Sequence, residues 1–516
     1  MNSTAKSFSV VTAFSIATRL ISFIFKMWMS RALGAETVGL YQIALSVVMM
    51  LLTLTSGAPT VLSRKIAEAG SNGDLKKQNS LLCASLILGI SISGIICGVL
   101  FACHSKLGFL FSNEKCLPIF LIMLPTVMTS TMYASFRSWF WGRKNFLAFS
   151  STELLDEIVK IILSVLFAGG IIGTFTGATG IALAMTLSDA LCVIVLAVIF
   201  FLSGGKFTKP HGFKDLTLRT IPLSATRIIT SLTASLTALI IPQLLVKSGM
   251  SVAQATAEYG RIAGMALPLI MAPITFVGAL SIVLIPDVAQ MRAQNDISGV
   301  RNKLSVALIF SMLIASVFFV IYLPLGGIIG NVLFRDVQAG TFVSYCSALL
   351  FPIAIAQTTT PMLNSLGKEK LTFAFSLIGA LSMLPCVFFL PQHIGVYAMA
   401  VASGVCFALI SALNCIALAK EVGAFANWKK LVSTVLFSIP LGVLGLLCTR
   451  LLYPYTGNIG TLAVMLVFLV FFLFIFISAF DIVDIYGCLK LLKPAKIATN
   501  KRKRRRENGK RRTKRA

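Results

Sequence analysis

The sequence predicts an all-α polytopic membrane protein. About fourteen transmembrane helices are expected, as two six-helix lobes related by a parallel repeat plus two extra helices. Three observations carry this. Hydrophobic residues make up 57% of the 516-residue chain and charged residues only 12%, whereas soluble domains carry about 25% charged residues. Apolar runs near twenty residues recur from end to end, the length a helix needs to cross a hydrocarbon core of about 30 Å. Short stretches of the first half also return, in the same order, in the second.

The expected spans are 8–29, 38–62, 81–103, 117–139, 153–172, 177–202, 219–246, 260–286, 303–323, 340–363, 371–391, 394–419, 430–452 and 459–480. A β-barrel would alternate apolar and polar residues in short segments, and no such pattern is seen. The first span is too long and too charged for a signal-peptide core, so no cleavage is expected.

Charge orients the chain. Of 45 Lys and Arg, fourteen lie from Lys490 onward, in a tail containing KRKRRR. The positive-inside rule places that tail in the cytoplasm, and an even number of spans then places the N-terminus there too. The predicted inner loops hold nineteen Lys and Arg and the outer loops seven. The net charge of +27 therefore reads as topology and as affinity for anionic lipid at the tail. Nucleic acid is not an expected partner. The expected division is an N-lobe over 1–205 (spans 1–6) and a C-lobe over 206–420 (spans 7–12). Residues 421–489 then hold spans 13 and 14 with an amphipathic end, and 490–516 form the basic cytoplasmic tail.

Several chemistries lack their residues. The eleven cysteines form no CxxC, and Cys103 and Cys116 are the one pair that could meet in an outer loop. The histidines His104, His211 and His393 are scattered. There is no HExxH, G-x-S-x-G or GxxxxGK[ST]. No cofactor, metal or built-in ATPase is expected.

The repeat centres on an arginine. ATRLIS (17–22) lies inside the first span and ATRIIT (225–230) inside the seventh. GRKNFLAFS (142–150) resembles GKEKLTFAFS (367–376), and GIALAMTLS (180–188) resembles GVYAMAVAS (395–403). Lobes of six spans share one orientation, and binding sites in such folds lie between the lobes. Arg19 and Arg227 are then equivalent residues across a central cavity. A guanidinium near the bilayer centre costs about 2.5–3.5 kcal/mol, and its planar fork suits phosphate oxygens. Lys26 lies two turns beyond Arg19 on the same face, with snorkelling to the outer interface as its alternative. The bland alternative for both arginines is an ion pair inside the bundle.

Acids are concentrated in STELLDEIVK (151–160), where Glu153 and Glu157, and Asp156 and Lys160, share helix faces four residues apart. They read as first-turn acids complementing the helix dipole, or as an ion site or counter-charge to the arginines. Asp189 falls near mid-membrane and is expected in an ion pair. Prolines at 59, 222, 242, 268, 273, 286 and 352 mark expected bends.

The segments GLYQ (39–42), SGAPTVLSRKIAE (56–68), ATAEYGRIAGMALPL (255–269) and LIPDVAQ (284–290) resemble the stage V sporulation protein B group. That group lies in the polysaccharide-transport branch of the multidrug/oligosaccharidyl-lipid/polysaccharide exporter superfamily. The likeness extends over both lobes. It implies fourteen helices, alternating access and export of lipid-linked sugars. Related lipid II flippases hold a diphosphate with cavity arginines, a role that Arg19, Lys26 and Arg227 match by span and character. A lipid-tail groove beside spans 13 and 14 is also implied. The expected function is a flippase in the cell membrane for a polyprenyl-diphosphate-linked saccharide, foremost a peptidoglycan precursor such as lipid II. A monomer is expected, with cell-wall synthesis enzymes as candidate partners. The alternatives are an exporter of another lipid-linked polysaccharide unit and a cation-coupled multidrug exporter. An enzyme acting on lipid-linked sugars is disfavoured, because every outer loop is short.

Overall fold

A computed structural model describes residues 3–55, 57–71, 74–211 and 213–479. The basic tail and the amphipathic end before it lie outside the described residues. The described chain is almost wholly helical, with short turns and loops between the helices. The helices are α1 (Ser3–Thr55), α2 (Gly57–Ser71), α3 (Leu75–Ala102), α4 (Cys116–Met123), α5 (Pro125–Gly142), α6 (Phe146–Ala168), α7 (Gly177–Leu202), α8 (Phe213–Lys247) and α9 (Val252–Gly260). A π-helical turn (Arg261–Ala266) follows, then α10 (Leu267–Ala293), α11 (Ile297–Phe334), α12 (Val337–Cys346), α13 (Leu350–Ser365), α14 (Glu369–Phe389), α15 (Pro391–Ile394), α16 (Ala398–Val422) and α17 (Trp428–Ala479).

Among the described residues, eleven helices are long and apolar enough to cross a membrane, which makes this a multi-pass membrane protein. Only helices can satisfy their backbone hydrogen bonds within such runs in hydrocarbon. Two of the eleven are double. α1 breaks at Gly34 (φ 78°, ψ 170°) and α17 at Gly457 (φ 62°, ψ −168°). Both positions need a positive φ that only glycine adopts freely. The first two expected spans are thus the two arms of α1, with no loop between them. α6 stands outside the eleven because Glu153, Asp156, Glu157 and Lys160 interrupt its apolar run.

Short polar residues start the helices that follow tight turns. Asp74 accepts from the Lys77 N–H at 2.9 Å, and Ser251 and Gln254 form a reciprocal capping box. Of the prolines expected to mark bends, Pro268 follows the π-helical turn and Pro352 follows a 3-10 turn (Ser347–Leu349), while the two breaks inside α1 and α17 are at glycines. Cys103 and Cys116 are both free.

Among the described residues, the apolar core is single at one end of the bundle and falls into two clusters at the other. At the Gly34 end, Phe25, Met29 and Ile43 pack in one cluster with Ile241, Ile262, Met265 and Phe334. At the opposite end, Leu62, Leu82, Trp139 and Phe200 of the first half form their own cluster. Val288, Leu304, Leu308, Met362 and Leu418 of the second half form another.

Candidate functional site

The polar residues of the first arm of α1 fall on one stripe. With 3.6 residues per turn, Ser15, Thr18, Arg19, Ser22 and Lys26 lie within about a third of the circumference, while Ile16, Leu20 and Ile24 occupy the adjoining exposed face. The stripe approaches α6, where the Ser22 hydroxyl donates to Glu157 Oε1. Lys26 is half-buried, with the Glu157 carboxylate as its electrostatic neighbour. Arg19 is exposed, and among the described residues it has no hydrogen-bond or ion-pair partner. The backbone of Arg227 lies in α8, but its side chain is outside the described residues.

The acids of α6 divide by face. Glu153 points toward α5, where Arg137 Nη2 stands 3.7 Å from its carboxylate. Asp156 and Glu157 point inward and share one ammonium: Lys160 Nζ lies 3.1 Å from Asp156 Oδ2 and 2.8 Å from Glu157 Oε2. The Ser188 hydroxyl of α7 donates to the Asp156 backbone oxygen at 2.9 Å and also to its carboxylate. Asp189 was expected in an ion pair. Instead it accepts from the Ser130 hydroxyl of α5 at 2.7 Å, and it makes no ion pair among the described residues. A seryl hydroxyl can complete a buried carboxylate at neutral charge cost. The serines at 22, 130 and 188 gave no signal in the sequence, because serine is frequent and each partner sits on a different helix.

The two halves of the chain join at the Gly34 end. Arg31 Nε donates to the Leu333 carbonyl at 2.8 Å, and its Nη2 donates to that of Val332. Ser30 donates to the Phe334 carbonyl at 3.1 Å. Asn113 Nδ2 donates to Thr256 Oγ1 at 3.3 Å, and Gln243 Nε2 to the Leu110 carbonyl at 3.1 Å. Arg261, the first residue of the π-helical turn, bridges Glu258 at 2.9 Å and Asp336 at 2.8 Å.

At the opposite end, cations gather on both halves. Arg143 lies 4.3 Å over the Trp139 ring in the first half. In the second, Glu421 accepts Lys368 at 2.6 Å and Arg292 at 3.6 Å, and Lys303 reaches Asp287 at 2.9 Å.

Comparison with known proteins agrees with this architecture. A family model described as "Polysaccharide biosynthesis protein" matches residues 4–292, more than half of the chain. Stage V sporulation protein B of Bacillus subtilis (strain 168) is 24% identical over 432 residues, covering 80% of this chain and 82% of that protein. The lipid II flippase MurJ in an inward closed conformation aligns with a TM-score of 0.71 at 14% identity, covering 91% of this chain and 98% of the other. An inward-facing multidrug resistance MATE family transporter of the MOP superfamily aligns with a TM-score of 0.65 at 12% identity, over 79% of this chain and 95% of the other. The fold is that of these transporters.

Proposed function

Since the chain belongs to the polysaccharide biosynthesis protein family, we propose that it moves a polyprenyl-diphosphate-linked saccharide from the inner to the outer leaflet by alternating access. A peptidoglycan precursor of the lipid II type is the leading cargo. The observation that carries the proposal is the core that is single at the Gly34 end and split at the other. The split end holds the cations of the predicted inner loops, so the positive-inside rule places it in the cytoplasm. Among the described residues the lobes share one core at the outer end and form two clusters at the inner end, where α2 and Phe213 of α8 still join the halves; this supports lobes that rock about a shared outer end.

Fourteen crossings follow if each arm of α1 and α17 spans once and α6 spans as well. Both termini are then cytoplasmic. Hydrogen bonds between helices support the lobe division at 205/206. Ser85 of α3 pairs with Ser135 of α5 at 3.1 Å, and Ser311 of α11 pairs with Thr358 of α13 at 2.6 Å. Asp189 of α7 meets α5 through Ser130, and Asn414 of α16 meets α13 through Thr359 and Thr360.

Arg19 is the cavity cation with no internal partner among the described residues, so it is available to a diphosphate. Lys26 lies two turns outward and Arg227 on the facing lobe. The polyprenyl tail stays in lipid, beside the exposed apolar surface of α17. An inside-negative potential favours outward movement of an anion by about 2.3 kcal/mol per charge per 100 mV. The chain acts as a monomer, and its basic tail holds anionic lipid or docks cell-wall synthesis enzymes.

The test is flipping of head-group-labelled lipid II in proteoliposomes, with Arg19→Ala and Arg227→Ala beside the wild type. Transport lost in both folded variants supports a diphosphate cavity. Full transport in both removes the arginines from the mechanism. The buried acids of α6 and α7 favour a second reading, a cation-coupled exporter of cationic amphiphiles. Export of such compounds by a protein that leaves lipid II in place would establish it.

A further inference from the structure

Five ionisable side chains meet inside the first lobe: Lys26 of α1, Asp156, Glu157 and Lys160 of α6, and Asp189 of α7. They comprise two ammonium groups and three carboxylates, so one negative charge is left over. Lys160 is committed, since Asp156 and Glu157 both hold it within 3.1 Å. Lys26 stands beside Glu157. Asp189 is the carboxylate left with a hydroxyl alone, that of Ser130.

Among the described residues, no cation on the elements packed around α7 pairs with Asp189: Arg19 of α1 is without a partner of its own, but no hydrogen bond or ion pair joins it to that carboxylate. α1 contributes Tyr41, whose phenol bonds the Met185 sulfur at 3.7 Å, and Lys26. α4 contributes Cys116. α5 contributes Ser130 and, toward its end, Arg137, which faces Glu153. α6 contributes Asp156, Glu157 and Lys160, and α7 itself contributes Cys192. An unpaired carboxylate inside a helix bundle is costly. The charge must therefore be balanced by something that comes and goes.

We propose that Asp189 binds one exchangeable proton, and that an anion engaging Lys26 strengthens that binding. The ligand is a proton because the ammonium of Lys160 already fills the place among the carboxylates that a metal cation would take. Hard metal cations need a shell of several oxygens. Among the described residues, no group of three or more His, Cys, Asp or Glu could hold a metal ion. The step is simple: a hydronium ion transfers its proton to the Asp189 carboxylate, an O–H bond forms, and water leaves.

The coupling runs through Glu157. A diphosphate that draws Lys26 away leaves the remaining four groups with one ammonium against three carboxylates. A proton on Asp189 then relieves a larger imbalance. Linkage makes the effect mutual, so the protonated protein binds the anion more tightly. Among the described residues the second lobe shows no counterpart: at the matching contact Asn414, a neutral amide, donates to Thr359 at 3.1 Å and Thr360 at 2.9 Å. The coupling clause rests on the diphosphate reading above, whereas the proton site does not.

The experiment has two arms, both on the full chain in detergent. Infrared difference spectra between pH 8 and 4 need no substrate. The wild type should show a carboxylic-acid C=O band that is missing from Asp189→Asn and shifted in Asp189→Glu, at unchanged melting temperature and monodispersity. Added sodium chloride, with choline chloride as the ionic-strength control, should leave the band in place. The same band in Asp189→Asn, or its displacement by sodium, overturns the proton site. In the second arm, geranylgeranyl diphosphate is the probe. Wild-type affinity should rise as pH falls, by at most tenfold per unit for one proton. Asp189→Asn should remove that slope. A slope unchanged in Asp189→Asn overturns the coupling. Absence of diphosphate binding with the band intact overturns the cavity reading and the coupling, and leaves the proton site standing.

Discussion

Gly39 and Gly260 meet backbone to backbone. A Cβ on Gly39 would lie 2.0 Å from the Thr256 carbonyl oxygen. One on Gly260 would lie 2.3 Å from the Ala35 oxygen and 2.6 Å from the Gly39 nitrogen. The contact joins α1 of the first half of the chain to α9 of the second, at the end where the described core is single. Small residues let membrane helices approach this closely.

If the lobes rock as proposed, Gly39→Ala should therefore weaken closure at the Gly34 end. The obstacle is main chain on both helices, which cannot rotate aside, and overpacking of this kind costs about 1–3 kcal/mol. The check is a cysteine at Ser30, which is buried, in a background without other cysteines. Gly39→Ala should raise its labelling by a membrane-impermeant maleimide from outside. Unchanged labelling would mean that the helices adjust without opening.

Arg31 ties the same end through charge. Its guanidinium donates to the last carbonyls of α11, at Leu333 and Val332, where the helix dipole favours a cation. Under the proposed rocking mechanism, Arg31→Ala should cost the contact between α1 and α11 about 1 kcal/mol, a several-fold shift toward separation at the Gly34 end. Distance distributions between spin labels on α1 and α11 measure it. Arg31→Lys should recover part of the effect, since it keeps the charge but loses the second donor.

Asp296 gives a local pH dependence outside the membrane spans. It caps α11, where the Gly299 N–H at 2.8 Å and the Ser298 hydroxyl at 2.7 Å hold its carboxyl below the usual aspartate range. A lowered folded-state pKa stabilises the cap above the ordinary value of 3.8. That contribution is lost as pH falls through the lowered native value. Protection of the Gly299 amide, measured against its intrinsic exchange rate, should fall in that acid window, and Asp296→Asn should make the protection pH-independent while keeping the cap.

How far the sequence could be read follows from the same places. The helices were legible because apolar length alone dictates them. The segments GLYQ and ATAEYGRIAGMALPL were legible as likenesses, yet only the structure shows that Gly39 of one packs on Gly260 of the other. The span expected over 153–172 begins inside α6, which starts at Phe146 behind the Asn145 cap, so Glu153, Asp156 and Glu157 lie in interior turns and not in the first turn where the dipole reading put them. The pairing of Asp156 with Lys160 followed from four-residue spacing. The addition of Glu157, three residues from Lys160, makes that lysine the centre of a triad. The hydroxyl on Asp189 was invisible, since Ser130 is 59 residues away and no local pattern links the two.

Lys160 offers the sharpest stability test, because its removal and its replacement with compensation predict opposite results. Its ammonium is the cation held by both Asp156 and Glu157. Lys160→Met keeps the stem and removes the charge, leaving two carboxylates inside the bundle with Lys26 as the nearest cation. Breaking a buried ion pair from one side typically costs about 3–5 kcal/mol, so the melting temperature in detergent should fall steeply. The triple variant Lys160→Met, Asp156→Asn, Glu157→Gln removes the charges together. The Ser22 and Ser188 hydroxyls can still bond the new amides, because each amide keeps an acceptor oxygen. Stability should then return close to wild type, as it does when whole buried charge groups are replaced by neutral ones. A single variant as stable as the wild type would show that water or Lys26 neutralises the acids without Lys160. A triple variant no better than the single would show that the three residues are held by packing, with charge contributing little.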